Sequence, residues 1–191
     1  MFALVFLFVS AAASAETTQY KIQPSGDKAI HLEIEKTGLM RGKKHDLVFP
    51  KYYGTLSFDD KAPENSRVEL TIDPNSLQVR DKWLSEKDQK KVREHTLSEM
   101  LAVSKFPEMR FASTKVTAAG GNRYSVEGTL TVRGIGKPVK LDVTFDPASL
   151  AVSGKGSFKI TSYSLKPPSA ALGAVGTRDE MTVIFDILAA R

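Results

Sequence analysis

Catalysis and metal binding need titratable or nucleophilic side chains in company, and this chain of 191 residues offers few. It has three histidines and no cysteine. Thiol nucleophiles, Cys zinc sites and redox pairs are therefore excluded, and a metal would have to use His, Asp or Glu. His31 falls on the polar face of a strand pattern, His45 in a basic loop and His95 on a helix beside charged neighbours. Each reads as a surface residue rather than a ligand or a base. No His-x-x-x-His spacing, nucleophile elbow, phosphate loop or suggestive carboxylate pair is present. A triad gathered from separate strands would not show in spacing, and nothing favours one. The expectation is no catalytic residue, no metal and no catalytic cofactor. The side chains with the most regular spacing are apolar, and what they offer is burial of another apolar body.

Those apolar residues alternate with polar ones over most of the chain, as strands with one buried face require. Tyr124, Val126, Gly128, Leu130 and Val132 interleave with Arg123, Ser125, Glu127, Thr129, Thr131 and Arg133. Val139, Leu141, Val143 and Phe145 repeat the pattern after Gly134-Ile135-Gly136-Lys137-Pro138, a hairpin connection by its turn chemistry. Leu150, Val152, Gly154, Gly156, Phe158 and Ile160 form a third apolar face. Earlier faces are Ile30, Leu32 and Ile34; Tyr52, Gly54, Leu56 and Phe58; and Val68, Leu70 and Ile72. With Met109 to Val116 and Glu180 to Leu188, eight or nine strands share one domain, which must close as a sandwich or a barrel. One helix is predicted from Ser85 to about Leu101, opened by the box Ser85-Glu86-Lys87-Asp88 and buried through Val92, Leu97, Met100 and Leu101.

Residues 1–15 read as a secretory signal. The apolar run Phe2 to Val9 is far shorter than the ~20 residues of a membrane span, and Ala13-Ser14-Ala15 supplies small residues for cleavage. The run lacks the Lys or Arg usual in a signal, which points to a start codon further upstream. Residues 16–191 form the remaining domain, expected in the periplasm or outside the cell. The net charge of +5 is modest and spread. The cations Arg41, Lys43 and Lys44, and Lys87, Lys90, Lys91 and Arg93, read first as solvated faces. If they have a partner, an anionic membrane surface suits an exported protein better than nucleic acid, for which no motif is visible.

Four stretches resemble the YceI family, the lipocalin-like polyisoprenoid-binding proteins of bacteria. Tyr53-Gly54-Thr55-Leu56-Ser57-Phe58-Asp59 and Val68 to Leu77 match two of its strands loosely. More specific are Lys105-Phe106-Pro107-Glu108-Met109-Arg110-Phe111-Ala112-Ser113-Thr114-Lys115-Val116 and Gly128-Thr129-Leu130-Thr131-Val132-Arg133-Gly134-Ile135-Gly136-Lys137-Pro138-Val139. The resemblance implies an all-β fold: an elongated eight-stranded antiparallel lipocalin-like β-barrel, here with one helical insert. It also implies a non-enzymatic role in binding an isoprenoid lipid, a polyprenyl chain or an isoprenoid quinone, and edge strands able to form a homodimer. The insert after Arg80-Asp81 is longer and more basic than the family's, and the late arginine is not matched at Thr161 to Leu165.

A barrel of about eight strands is either filled by its side chains or holds one slender ligand. Gly128, Gly154 and Gly156, with Gly54, fall on inward faces, and the expectation is that they open a tunnel; the alternative is that they only let the sheet bend. The expected wall comprises Leu32, Ile34, Leu56, Phe58, Leu70, Ile72, Phe111, Val126, Leu130, Leu141, Val143, Phe158, Ile160 and Phe185, of which some merely fill core. Leu165 to Gly176, too broken for a strand and apolar for a loop, reads as a rim lid or membrane-touching loop, against a loop packed on the wall. Trp83 and Leu84 are placed at one mouth or the other. The competing function is an exported stress or interaction protein whose barrel is a filled core.

Overall fold

The computed structural model describes residues 17–191 apart from 171 and 173, so the predicted signal segment at 1–15 lies outside the described residues. The strands are β1 (Thr18–Gln23), β2 (Ala29–Gly38), β3 (Lys44–Phe49), β4 (Tyr52–Phe58), β5 (Arg67–Ile72) and β6 (Gln78–Val79). After α1 (Glu86–His95) come β7 (Met109–Ala118), β8 (Arg123–Val132), β9 (Ile135–Asp146), β10 (Ala151–Lys159), β11 (Ser169–Ala170) and β12 (Val175–Ala190). Hydrogen-bonded neighbours run β1-β4-β5-β7-β8-β9-β10-β12, and β12 pairs back with β1 to close an eight-stranded antiparallel ring.

The order continues from β12 to β2, β3 and β6, because three staves of the barrel are each broken in two. β1 and β2 lie end to end along one edge of β12, with Gln23 opposite Leu188 and Ala29 opposite Asp186. β4 pairs β1 and β5, while β3 pairs β2 and β6. Each break carries a proline: Pro24, Pro50 and Pro74. Proline has no N–H for the ladder and is confined to strand ends and interruptions. The breaks lie side by side. Asp73 N donates to Lys51 O at 3.0 Å, Lys51 N to Ser76 Oγ at 3.3 Å and Tyr52 Oη to Lys28 O at 3.4 Å.

The belt of prolines divides the barrel into unlike ends. At one, the ring is fully hydrogen-bonded and plugged by Tyr20, Phe58, Tyr124 and Phe145, whose rings meet edge-on with centroids 5.0–5.6 Å apart. At the other, β6 has β3 as its partner but no bond to β7, which begins only at Met109 opposite Ile72. Helix α1 lies over that gap. Ser85 caps it by accepting from Asp88 N at 3.2 Å, and Arg93 ties it down by donating to Leu77 O at 2.8 Å and Asn75 O at 2.9 Å. The helix stops at His95 and a single π turn, Thr96–Met100, finishes it. Val92, Leu97, Met100 and Leu101 pack against the core as their spacing predicted.

Candidate functional site

Inside the closed end lies a partly open chamber of about 130 Å³ whose exposed surface is apolar, with Ser66, Arg67 and Ser157 at its border. It is lined by Leu56, Phe58, Leu70, Phe111, Val126, Leu141, Val143 and Phe185 from the predicted set, and by Ile22, Val116, Tyr124, Val139, Phe145, Val152 and Ile187 beside them. Beyond the proline belt a second chamber of about 370 Å³ opens at the split end. Leu32, Ile34 and Ile160 line this one, with Leu47, Phe49, Val92, Met100 and Leu101. Ile30, Ile72, Leu130, Phe158 and Val183 face both chambers and form a waist between them. Ile30 follows the first proline break and Ile72 precedes the third, so the waist sits where the staves are interrupted.

Three residues assigned to the wall do not line it. Gly128, Gly154 and Gly156 border neither chamber, because the space a side chain would occupy is already filled. A Cβ at Gly128 would lie 2.5 Å from the Phe111 ring and 2.6 Å from Ala112 O. At Gly154 it would meet Asp142 O at 2.4 Å and the Phe185 ring at 2.5 Å, and at Gly156 the Leu141 side chain and Lys140 O at 2.6 Å. Gly54 is tighter still against the backbone of Glu69. The glycines do not open a tunnel; they let neighbouring strands and cross-strand side chains come close. The wall residues Phe111, Phe185 and Leu141 lie over them.

Histidine placement also departs from the sequence reading. His45 is not in a surface loop but on β3, 8% exposed and part of the outer chamber's lining. Its Nδ1 lies 2.5 Å from Oδ2 of Asp81, itself 2% exposed, whose Oδ1 accepts from Asp46 N at 2.7 Å. Trp83 closes neither chamber. Its ring packs at a 41° tilt against His45, centroids 5.3 Å apart, and it donates Nε1–H to Lys44 O at 2.8 Å. His31 stays at the surface against Asp46 at 2.9 Å, and His95 is exposed but reaches the rim of the outer chamber. Among the described residues no three His, Cys, Asp or Glu side chains converge as metal ligands.

The outer chamber differs from the inner in exposing polar groups at its rim: Lys36, His45, Lys91, His95, Thr96, Ser169 and Thr177. Burial holds the Lys36 ammonium below the ordinary lysine value, partly opposed by the charge of Asp81. Desolvation pushes the Tyr163 phenol up to about 12, and its hydroxyl donates to Leu130 O at 3.4 Å. The segment Leu165 to Gly176 contains the short strand β11, with Ser169 opposite Gly176; its first half, through Leu165, Pro168, Ser169 and Ala170, forms part of the chamber wall. Two adjoining chambers that share five wall residues offer room for a slender apolar body, with polar groups on the split side.

Residues 20–189 match the YceI-like domain family. The chain belongs to that family. Among curated relatives, a UPF0312 protein of Pectobacterium atrosepticum is 36% identical over 141 residues, covering 70% of this chain and 65% of its own length. One of Yersinia pestis is 36% identical over 138 residues, covering 69% of this chain and 63% of its own. This YceI-like chain thus spans under two thirds of those relatives. Among solved structures, Burkholderia cenocepacia BcnA superposes with a TM-score of 0.63 at 20% identity, over 85% of this chain and 96% of that one. A polyisoprenoid binding domain from Saccharophagus degradans gives 0.54 at 14% identity, over 90% and 97%. At those identities the likeness shows the barrel fold.

Proposed function

We propose that this YceI-like barrel binds one isoprenoid chain, of a polyprenyl lipid or an isoprenoid quinone, and carries or sequesters it outside the cytoplasm. The observation that carries the reading is the inner chamber. Native interiors rarely hold voids larger than a water molecule. A space of about 130 Å³ left empty costs up to roughly 3 kcal/mol at ~24 cal/mol per Å³. Water gains no hydrogen bond from an apolar surface, whereas an apolar tail restores the missing contacts. A filled barrel serving only protein partners gives no account of a void in that position. The polyisoprenoid-binding description of the Saccharophagus degradans domain supports the choice of chain.

Burial supplies affinity without specific hydrogen bonds, at about 0.8 kcal/mol gross per buried CH₂. A cavity of ~150 Å³ takes up one benzene-sized group, so the inner chamber takes one isoprene unit and the outer, at about 370 Å³, two or three more. Enclosure therefore ends at about four units, and a longer chain leaves by the split end, where Lys36 and Lys91 offer donors to its polar end. No bond-making step is assigned to any residue. The test is mass spectrometry of the organic extract of protein purified from its native compartment, followed by titration with polyprenols of increasing length. A stoichiometric isoprenoid and an affinity that rises and then levels with length are expected. An empty extract with no uptake of added polyprenols or quinones overturns the reading.

A further inference from the structure

The most exposed large apolar side chains among the described residues are Leu39, 83% exposed, and Leu172, fully exposed. Both stand at the rim of the outer chamber. Lys36 and Thr177 line that chamber and face each other in the β2–β12 register; the next pairs are Thr37 with Gly176 and Gly38 with Val175. Leu39 is the next residue, on the turn that leads to β3, roughly 10 Å beyond Lys36 at the rise of a strand. Its N–H donates to Ala174 O at 3.0 Å, so the turn and the end of the 165–174 segment are stitched together. Gly38, with φ +66, lets the two backbones approach this closely.

The charges around the two leucines have one sign. Residues 38–43 and 165–174 contain Arg41, Lys43 and Lys166 and no Asp or Glu. Among the described residues Arg41, Lys43 and Lys166 enter no salt bridge. Carboxylates of β2 and α1 are engaged, Glu33 with Lys44 at 2.8 Å, Glu35 with Arg178 at 2.9 Å and Asp88 with Lys91 at 3.0 Å. Arg93 is not available to this surface, since it holds α1 to the segment after β5.

We propose that this rim docks on a lipid bilayer carrying acidic headgroups, with Leu39 and Leu172 entering the headgroup boundary and Arg41, Lys43 and Lys166 meeting the acidic lipid. Two separate exposed leucines are too small a surface for a stable contact between copies, which needs about 800 Å² from each partner. They suit the boundary of a bilayer, into which apolar groups reach ~5–10 Å. The surface is continuous with the outer chamber, so docking sets the mouth against the membrane. The docking itself stands apart from the nature of the cargo; its use in fetching a chain rests on the proposed function.

The test is co-flotation of the full chain with phosphatidylcholine vesicles, with and without phosphatidylglycerol, at low and high salt. Binding to the acidic vesicles alone, weakening with salt, is expected. Each cation near an acidic surface strengthens binding about fivefold, so Arg41→Glu with Lys43→Glu loses well over tenfold, and Leu39→Ser with Leu172→Ser loses a comparable factor. Circular dichroism and uptake of a soluble short prenol stay at the wild-type level in both, which excludes misfolding. Leu130→Trp, which blocks the waist, loses long-chain cargo yet floats like wild type, so the failure of either reading is visible without the other. Rim variants that float like wild type, or a wild-type chain that ignores acidic vesicles, overturn the docking proposal. So does a dimer in light scattering that the leucine substitutions dissolve, which would assign the rim to a second copy.

Discussion

The two ends of the barrel are built from the same strands and behave as different materials. At the closed end every stave is bonded on both edges, four aromatic rings pack at the bottom, and the surface the chamber exposes is apolar. At the split end the ring is interrupted between β6 and β7, α1 covers the gap through side-chain contacts, and lysines and histidines border the chamber. Bonded strands open only with the whole fold, whereas an element held by side chains opens locally and more cheaply. Under the proposed function, the difference makes one end a fixed tail pocket and the other an adjustable entrance. Three prolines in adjacent staves mark the border.

The sharpest way to separate the ends is to block the waist. Leu130→Trp places an indole where both chambers meet. Prenols long enough to reach the inner chamber should lose about a hundredfold in affinity, as burial of most of an isoprene unit is worth at ~0.8 kcal/mol per CH₂. Shorter ones, held in the outer chamber, should bind as before. Equal losses at all lengths would mean that the chambers are not filled in sequence.

The next effect concerns the closed ring itself. Gly54→Ala and Gly128→Ala each drive a methyl into a neighbouring strand, and overpacking of this kind costs about 1–3 kcal/mol. Urea unfolding should show that loss for both. Combining Gly128→Ala with Phe111→Leu should recover part of it, since the Phe111 ring is one of the two obstacles. If the glycines opened a tunnel, these variants would weaken ligand binding and leave stability unchanged.

That correction shows which layer of the structure the sequence carries. Alternation located β8, β9, β10 and the apolar face of each, because a strand's two faces are decided by neighbours in the chain. It placed Gly128 on the inward face, and the register agrees: Gly128 is opposite Ser113 and Leu130 opposite Phe111. The meaning of that glycine depends on Phe111, a diagonal neighbour on another strand, and no local pattern reports where that ring lies. The same limit hid His45. The basic residues around it spoke for a loop, whereas Asp81, 36 positions away, holds it in a buried strand. Pro24, Pro50 and Pro74 were visible singly, but their alignment into a belt follows only from strand pairing. The outer chamber was half legible, since Leu32 and Ile34 continue an alternation while Lys36, on the same face, breaks its polarity.

A smaller effect is expected from loosening the lid. Arg93→Met removes two charge-assisted bonds to Leu77 O and Asn75 O while keeping the aliphatic contact, a loss of about 2 kcal/mol or less. Hydrogen exchange should quicken in α1 and β6, and ligand release should speed with it. Exchange at β1 and β4 in the closed end should not change. Equal quickening at both ends would show that the barrel opens as a single unit and would remove the distinction between pocket and entrance.

The smallest effect compares one carboxylate at each end through pH. At the closed end Asp59 accepts from Ala62 N at 2.9 Å, Asn65 Nδ2 at 3.2 Å and Lys61 N at 3.0 Å, and these bonds hold its carboxyl below the ordinary value. At the split end Asp179 accepts from Thr161 N at 2.9 Å and Thr161 Oγ1 at 2.8 Å, with the same sign of shift. A carboxyl whose folded value is depressed binds its proton more readily in the unfolded chain. Its contribution is therefore complete above the unfolded value, about 3.9, and is lost as pH falls through the folded one. Below pH about 4, Asp59→Asn should flatten the decline of global stability in urea titrations, because its turn joins two strands of the closed ring. Asp179→Asn should leave that decline nearly intact and alter instead the acid dependence of exchange around Ile160 to Tyr163. A reversal of the two outcomes would place the cooperative core of the barrel at its split end.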